Sequence, residues 1–304
     1  MTKIHLQGAT GNQLFCVFAG IAHEVTSGSK AIFDESYLQP IEVRHPGGIL
    51  DFELYFNGDE YFLISDLNRL NKLSKYFDRI AFKLMSSWTK SPTLLMQHRS
   101  KAFGFDSDFD LDKRYRKIIG FFQTFVYADI AQESLGKLEI RVKNPSHWFN
   151  EKSIEISNEK NSVAIHIRRG DYLQNLDGIG LLSFEYFYSA LTMLTKQTKV
   201  ITAYIFSDEE IDLFDFTSRF PGIEFVAVLA PSESTPIESI ILMSLASYRI
   251  ISNSSFSWWA AYLTKDHHSN FTPDPWFRNK NVPELLIPAA WNKITSIWTE
   301  RDDL

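Results

Sequence analysis

The pattern of apolar and polar positions predicts strands and helices in two separate stretches of the chain. Near the N-terminus a strand (3–6), a glycine-bearing turn (7–12), a helix (13–25) and a second strand (31–33) follow one another. Beyond residue 162, apolar strands are predicted at 163–167, 201–206, 223–229 and 249–252, and helices at 184–194, 209–216, 237–247 and 256–264. Such alternation with short loops is typical of a doubly wound parallel sheet.

The stretch between these two parts is less regular. Residues 50–160 mix aromatic and basic side chains without clear alternation, and we expect helices near 65–88 and 126–139 and a short strand near 117–122. A proline- and asparagine-bearing segment, residues 144–161, precedes the second regular stretch. The sequence therefore predicts an α/β protein with an N-terminal domain over 1–150 and a C-terminal domain over 151–304.

Composition narrows the function classes. The 304 residues carry a net charge of −6, which argues against a nucleic-acid partner and against a polybasic hold on a membrane. The single cysteine, Cys16, excludes an internal disulfide and a multi-cysteine zinc site, and its apolar surroundings predict a buried thiol. The N-terminus resembles neither a signal peptide nor a membrane span, so we expect a cytoplasmic protein.

The first cluster with chemical meaning runs from His166 to Tyr172, directly after an apolar strand. Strand alternation places His166 and Arg168 on the same side of the chain, and the planar donors of arginine match phosphate oxygens. The alternative is a surface ion-pair cluster, in which Asp171 pairs with Arg169.

Two further clusters follow strands in the same domain. In Ser207-Asp208-Glu209-Glu210, a carboxylate could accept from ribose hydroxyls or a guanine edge, or the segment could begin a helix. In the segment from Ser252 to Tyr262, small polar residues precede a helix whose free N–H groups favour an anion such as pyrophosphate. At least one of Trp258 and Trp259 is expected to be a core residue.

These clusters carry a resemblance to a known family. His-X-Arg-Arg-X-Asp-Tyr at His166–Tyr172, the acidic segment at Ser207–Glu209 and Asn-Ser-Ser-Phe-Ser-Trp-Trp-Ala-Ala at Asn253–Ala261 resemble the α-1,2-fucosyltransferases of bacteria and animals. The resemblance to α-1,6- and protein O-fucosyltransferases is more distant. At the N-terminus, Gly8–Phe15 is similar to the family pattern Gly-Gly-Leu-Gly-Asn-Gln-Met/Leu-Phe but differs at two positions.

The resemblance implies a GT-B fold, with two Rossmann-like domains facing across a cleft and the donor bound in the C-terminal one. It implies inverting transfer of fucose from GDP-β-L-fucose to the 2-hydroxyl of a galactose-terminated glycan, without a metal or other cofactor. It also suggests synthesis of a surface polysaccharide such as lipopolysaccharide O-antigen. A lipid-linked acceptor would bring the enzyme into peripheral contact with the inner face of the membrane.

Residue roles carried over from the resemblance centre on Arg168, which would hold the β-phosphate with His166 beside it. Asp171 and Asp34 are the candidates for a catalytic base. The predicted donor-binding residues are Arg168, Arg169, Asp208, Glu209, Asn253, Ser254, Ser255 and Phe256. The N-terminal loop contributes Gly11, Asn12 and Gln13, and no metal ligand is expected.

Three other functions remain open from the sequence. The chain could be a transferase for another GDP-sugar or acceptor, or a non-catalytic module that binds a nucleotide sugar. A Rossmann oxidoreductase is disfavoured, because the Gly8–Gly11 turn lacks the Gly-X-Gly-X-X-Gly spacing. The acidic segment Asp106–Asp112 lacks the glycine and glutamate of a calcium loop, and we predict a solvated acidic loop there.

Overall fold

A computed structural model describes residues 1–35, 38, 52–64, 97–264 and 266–303. The chain divides into two compact units, one of Met1–Glu139 with Pro283–Leu286 and the other of Ile140–Val282 with Ile287–Leu304. The predicted domain boundary at residue 150 lies inside a helix, His147–Asn158, so the second unit begins before it. The helix predicted near 65–88 lies outside the described residues.

The first unit contains a parallel sheet with a buried helix against it. Its elements are β1 (Thr2–His5), α1 (Thr10–Ser27), β2 (Ala31–Asp34), β3 (Phe52–Phe56), β4 (Asp59–Tyr61), β5 (Gln97–Arg99), β6 (Lys117–Ile119) and α2 (Val126–Leu135). The parallel strands lie in the order β2-β1-β6-β5, and β3 and β4 form an antiparallel hairpin. A Cβ added at Gly20 would lie 2.8 Å from the Phe33 ring, so glycine there permits close packing of α1 on the sheet.

The elements that follow belong largely to the second unit. They are β7 (Leu138–Val142), α3 (His147–Asn158), β8 (Ser162–Ile167), α4 (Phe184–Gln197), β9 (Thr202–Ser207), α5 (Phe214–Arg219), β10 (Glu224–Val228), α6 (Pro236–Leu245), β11 (Tyr248–Ile250), α7 (Ser255–Tyr262), β12 (Asn270–Asp274) and β13 (Asn292–Thr295). A short 3-10 helix, Gly170–Gln174, follows β8.

The sheet of the second unit has a topological switch point at its centre. Six parallel strands lie in the order β10-β9-β8-β11-β12-β13, so the chain builds one half outward from β8 and the other outward from β11. The carboxyl ends of the strands at such a switch point, here β8 and β11, are where open α/β sheets bind ligands. The fully buried side chains of β8 and α4, including Ile165, Tyr186 and Leu191, form the core beneath this switch point.

The structure changes several predicted elements. The helix predicted at 209–216 begins only at Phe214, whose N–H is accepted by Asp212 Oδ1 at 2.9 Å, because Asp208 and Glu209 are drawn to arginines instead. Helix α3 and strands β12 and β13 were not predicted. α3 has only Ile156 fully buried, and β12 contains Pro273 and polar residues, so neither shows a clear apolar period.

The acidic segment is only partly the solvated loop that was predicted. Asp106 and Phe109 are buried, whereas Asp108 and Asp110 are exposed. Asp106 Oδ2 lies 3.0 Å from His98 Nε2, and the His98 ring stacks on Phe109 with centroids 4.8 Å apart. The segment is therefore fixed to the unit at one end by an acid–histidine pair.

Two other expectations from the sequence concern the burial of Cys16 and the ability of the helices to span a membrane. Cys16 is fully buried, and burial raises the pKa of its thiol to about 12. Within the described part of the chain, every helix is too short or too polar to cross a membrane.

Candidate functional site

His166 marks the carboxyl end of β8 at the switch point. Its ring is buried, its Nδ1 lies 2.7 Å from Ser252 Oγ beyond the neighbouring strand β11, and its centroid lies 5.5 Å from that of Phe256. Burial, reinforced by the positive charge of Arg168, lowers the pKa of His166 to about 3. The imidazole is therefore neutral at physiological pH and fixes the two strand ends together.

Arg168 follows β8 and lies between two carboxylates. Its Nε and Nη2 donate to Asp171 Oδ1 at 3.0 and 2.6 Å, and its Nη1 lies 2.9 Å from Asp208 Oδ2. The alternative in which Asp171 pairs with Arg169 is wrong. Asp171 is the more exposed of the two acids, with 64% of its side chain accessible against 21% for Asp208.

Arg169 has a different acidic partner, Glu209, which its Nε contacts directly. The backbone N–H of Arg169 donates to Asp208 Oδ1 at 3.0 Å, so Asp208 holds both the side chain of Arg168 and the main chain beyond it. A Cβ on Gly170 would lie 2.4 Å from Asp208 Oδ2, and only glycine admits this approach. Asp208 therefore organises the loop after β8, and its contact with a nucleoside stays a prediction.

The segment before α7 lies at the end of the adjacent strand β11. Ser254 caps the helix by accepting the N–H of Phe256 at 3.3 Å, and Ser255 and Phe256 are half-buried. Asn253 is buried, and its Nδ2 donates to the carbonyls of Ile179 and Gly180 at 3.2 and 3.1 Å.

The oxygen of the same amide has an unusual environment. Asn253 Oδ1 is buried without a hydrogen-bond partner among the described residues. Since its Nδ2 is committed to two carbonyls, the orientation of the amide is fixed and the oxygen remains an acceptor. A buried acceptor of this kind costs stability unless something donates to it.

Two residues of this site, Ser252 and Tyr172, lie in the clusters found in the sequence but were assigned no role there. Ser252 contacts His166, and the hydroxyl of Tyr172 donates to the carbonyl of Asn253 at 2.9 Å, joining the loop after β8 to the segment before α7. Burial raises the pKa of Tyr172 to about 12, so the phenol keeps its proton. The pairing could have been found from the expected adjacency of the two strand ends. Trp258 and Trp259 are both fully buried, which confirms the prediction that at least one of them is a core residue.

The N-terminal residues of the predicted site lie in the first unit. Gly11, Asn12 and Gln13 belong to the first turn of α1 rather than to the preceding turn. Gln13 Nε2 donates to the Gly8 carbonyl at 2.9 Å, and Asn12 Oδ1 accepts from Gln123 Nε2 at 2.8 Å.

Asp34, the second candidate base, ends β2 in the same unit and is buried. Its Oδ2 lies 3.7 Å from His5 Nε2 and 3.8 Å from Lys3 Nζ. Burial, followed by the charge of Lys117, lowers the pKa of His5 to about 4, so this imidazole is neutral at physiological pH.

The arrangement in the second unit suits an anion that also carries hydroxyl groups. The Arg168 guanidinium and the N-terminus of α7 can neutralise phosphate oxygens, and Asn253 Oδ1 can accept from a hydroxyl. Over the described ranges, acidic, histidine and cysteine side chains nowhere gather in a group able to hold a metal ion.

The chain is similar to known proteins over most of its length. The model of glycosyl transferase family 11 matches residues 56–283. Alpha-1,2-colitosyltransferase of Escherichia coli is 27% identical over 304 residues, covering 95% of this chain and 97% of that protein. The O-antigen biosynthesis glycosyltransferase WbnK of Escherichia coli is 29% identical over 141 residues, or 45% and 46% of the two chains.

Among solved structures, the chain is similar to NodZ α-1,6-fucosyltransferase in crystals soaked with GDP-fucose. The TM-score is 0.53 at 12% identity, and the match covers 98% of this chain and 99% of that one. At this identity the likeness shows the fold alone. The fold is of the GT-B type, which is built from two Rossmann-like α/β units.

Proposed function

The chain belongs to glycosyl transferase family 11, and on that premise we propose that it transfers fucose from GDP-β-L-fucose to the 2-hydroxyl of a terminal galactose. The enzyme is a glycosyltransferase of a fucosyltransferase family. The acceptor specificity, the α-1,2 linkage, inversion at the anomeric carbon and independence of a metal are part of the proposal. A surface polysaccharide of the O-antigen class is the acceptor that the name of the relative WbnK favours.

One observation carries the donor side of this proposal. Three polar clusters lie at the carboxyl ends of the adjacent strands β9, β8 and β11, and direct contacts join them: Asp208 with Arg168, and Ser252 with His166. An arginine, a helix N-terminus and a buried hydrogen-bond acceptor thus lie together at the switch point of a parallel sheet. This is where such sheets bind nucleotides.

The proposed chemistry follows from the charge that develops. When the bond between the fucose anomeric carbon and the β-phosphate oxygen breaks, negative charge grows on GDP and positive charge on the sugar ring. The Arg168 guanidinium stabilises the negative charge on the phosphate, and the dipole of the first N–H groups of α7 adds to this stabilisation. The galactose 2-hydroxyl attacks the opposite face of the anomeric carbon, which turns a β-linked donor into an α-linked product.

His166 acts here as a neutral group. A buried imidazole with a pKa of about 3 cannot donate a proton efficiently near pH 7, so its proposed role is to hold Ser252 and the strand ends in register. Asp171 contacts Arg168 through the guanidinium edge that a phosphate would use. That contact supports a role in holding Arg168 until the donor binds, and it leaves the catalytic base unassigned.

A second donor is favoured by a specific finding. One relative, which matches 95% of this chain, is named for transfer of colitose, which is 3-deoxy-L-fucose. The two GDP-sugars differ only in the hydroxyl at C3 of the sugar. A site that hydrogen-bonds this hydroxyl should reject the deoxy sugar strongly, whereas a site with an apolar contact there should accept both.

The experiment is GDP release with lactose or methyl β-D-galactoside as acceptor, with GDP-fucose or GDP-colitose as donor, in the presence of EDTA. We expect acceptor-dependent release that survives EDTA. Arg168→Ala should lower the rate about 10²–10³-fold, as is usual when one such charge-stabilising donor is removed. Arg219→Ala is the matched control, because Arg219 pairs with Glu185 on an exposed surface of the same unit.

The possible results separate the alternatives. Donor binding without release on addition of any galactoside would refute the transferase assignment and favour a binding module. Release that stops with EDTA would refute metal independence. An Arg168→Ala enzyme as active as Arg219→Ala would show that the guanidinium does not stabilise the leaving group.

A further inference from the structure

A pair of stacked phenylalanines lies on the surface of the first unit and has no part in its core. The Phe103 and Phe121 rings are stacked with centroids 5.1 Å apart and planes 13° from parallel. Phe103 is 55% exposed and Phe121 half-buried. Two aromatic rings left partly in water form an apolar patch of the kind that marks binding surfaces.

The Phe103–Phe121 pair lies near the carboxyl ends of the parallel strands of the first unit. Phe121 follows β6, and β6 lies directly beside β1, whose carboxyl end leads into α1. Carboxyl ends of parallel strands form the edge at which α/β sheets take ligands. The N-terminal turn of α1, which contains Asn12, lies at the same edge.

An unusual backbone conformation next to Phe121 places its ring at the surface. Phe122 has a φ of 54°, a conformation that is rare for a bulky residue, and its ring is buried while Phe121 reaches the surface. A Cβ on Gly120 would lie 2.7 Å from the Phe122 ring, so glycine is required before it. Strain of this kind persists where the surroundings enforce it, and it concentrates at functional sites.

Uncharged hydrogen-bonding groups accompany the rings. The backbone N–H of Gln123 donates to the Phe103 carbonyl at 2.7 Å, which ties the two ring-bearing segments together. The side chain of Gln123 donates to Asn12 Oδ1 at 2.8 Å, so the two amides form one fixed pair. Aromatic rings beside amides are what a neutral sugar needs, because one face of galactose carries C–H groups and its edges carry hydroxyls.

We propose that the stacked rings of Phe103 and Phe121 are the platform on which the acceptor galactose packs, with the Asn12–Gln123 amide pair positioned for its hydroxyls. This inference rests on the proposed function for the identity of the sugar. The apolar face of the galactose covers the exposed ring of Phe103. The platform determines affinity for the acceptor and takes no part in binding the donor.

The test compares Phe103→Ala with Phe103→Trp, which keeps a flat ring, and with Phe214→Ala. Phe214 is a 70% exposed phenylalanine of the second unit and serves as the matched control. The KM for the galactoside at saturating donor should rise about tenfold in Phe103→Ala, the loss expected when an aromatic contact is removed. Phe103→Trp and Phe214→Ala should stay within about twofold of the wild type.

Two further readouts make the outcomes distinct. Slow hydrolysis of the donor without acceptor should be equal in all variants, since the platform does not bind it. Saturation-transfer NMR with methyl β-D-galactoside should show binding to the wild type and its loss in Phe103→Ala, whether or not the enzyme transfers sugar. Galactoside binding without transfer would contradict the proposed function and leave the platform supported. An unchanged acceptor KM in Phe103→Ala, or no galactoside binding to the wild type, would overturn the inference.

Discussion

Replacing Gly170 by alanine tests whether the loop after β8 is organised by Asp208. The added Cβ would lie 2.4 Å from Asp208 Oδ2 and 3.2 Å from its Cγ. Ordinary van der Waals contact begins near 3.4 Å, so the carboxylate would have to withdraw by about 1 Å.

Asp208 cannot withdraw without losing contacts. Its Oδ2 lies 2.9 Å from Arg168 Nη1, and its Oδ1 accepts the Arg169 N–H at 3.0 Å. A hydrogen bond to a charged group contributes about 1.5–3 kcal/mol, and partial exposure reduces this to about 1–2 kcal/mol here. We therefore expect Gly170→Ala to lower the free energy of unfolding by about 1–2 kcal/mol and to weaken GDP binding about tenfold.

The assay is urea unfolding together with calorimetric titration of GDP. Gly222→Ala is the matched control, because an added Cβ there meets nothing within 4 Å. A double-mutant cycle sharpens the test: in an Asp208→Ala background the clash is gone, so the added effect of Gly170→Ala should disappear. A Gly170→Ala protein that unfolds and binds GDP like Gly222→Ala would refute the reasoning. So would an unchanged effect in the Asp208→Ala background.

Two further predictions concern protonation and charge. Burial lowers the pKa of His166 to about 3 and that of His5 to about 4, whereas the unfolded chain protonates both below about pH 6.5. The free energy of unfolding should therefore fall as the pH drops from about 6.5 to about 4, by up to about 1.4 kcal/mol per pH unit for each. Urea unfolding at pH 7, 6 and 5 measures this slope. His166→Gln should flatten it and the exposed control His147→Gln should not; a slope that His166→Gln leaves intact would contradict the assignment. If Asp171 holds Arg168 rather than acting as a base, Asp171→Asn should keep kcat within about tenfold and retain the acidic limb of the pH–rate profile. Loss of that limb together with a large fall in kcat would identify Asp171 as the base.

The sequence predicts the second unit well because its central strands β8 and β9 are largely apolar runs. Ser162–Ile167 is buried at every position, and such a strand stands out from its flanking loops whatever its partners are. β12 was missed because its burial comes from the tertiary structure: Asn270 and Thr272 are buried as part of the sheet, and neither shows as an apolar position. In the first unit, β6 was predicted near 117–122, whereas β5, which is also three residues long, gives too short a pattern to detect.

As with the fold, the sequence predicts the local features of the site but not the contacts between residues that are distant in the chain. The candidate residues follow apolar strands, so their place at strand ends was predictable from the sequence. The ion-pair and hydrogen-bond partners of these residues were not predictable. Arg168 and Arg169 are adjacent, and the choice between Asp171, Asp208 and Glu209 as partner depends on how Gly170 turns the chain. The contact between His166 and Ser252 depends on strand order, which no local pattern encodes.

The charges around Arg168 affect how the diphosphate of the donor can bind. Two arginines, Arg168 and Arg169, face three carboxylates, those of Asp171, Asp208 and Glu209, so the group has a net charge of −1 before any phosphate arrives. A diphosphate would be repelled unless one acid gives way. Asp208 is held by two donors and Glu209 by Arg169, whereas Asp171 is exposed and holds only the guanidinium edge that a phosphate would take. Exchange of Asp171 for a phosphate oxygen would therefore keep Arg168 paired throughout and return the displaced carboxylate to water, where its charge is best solvated.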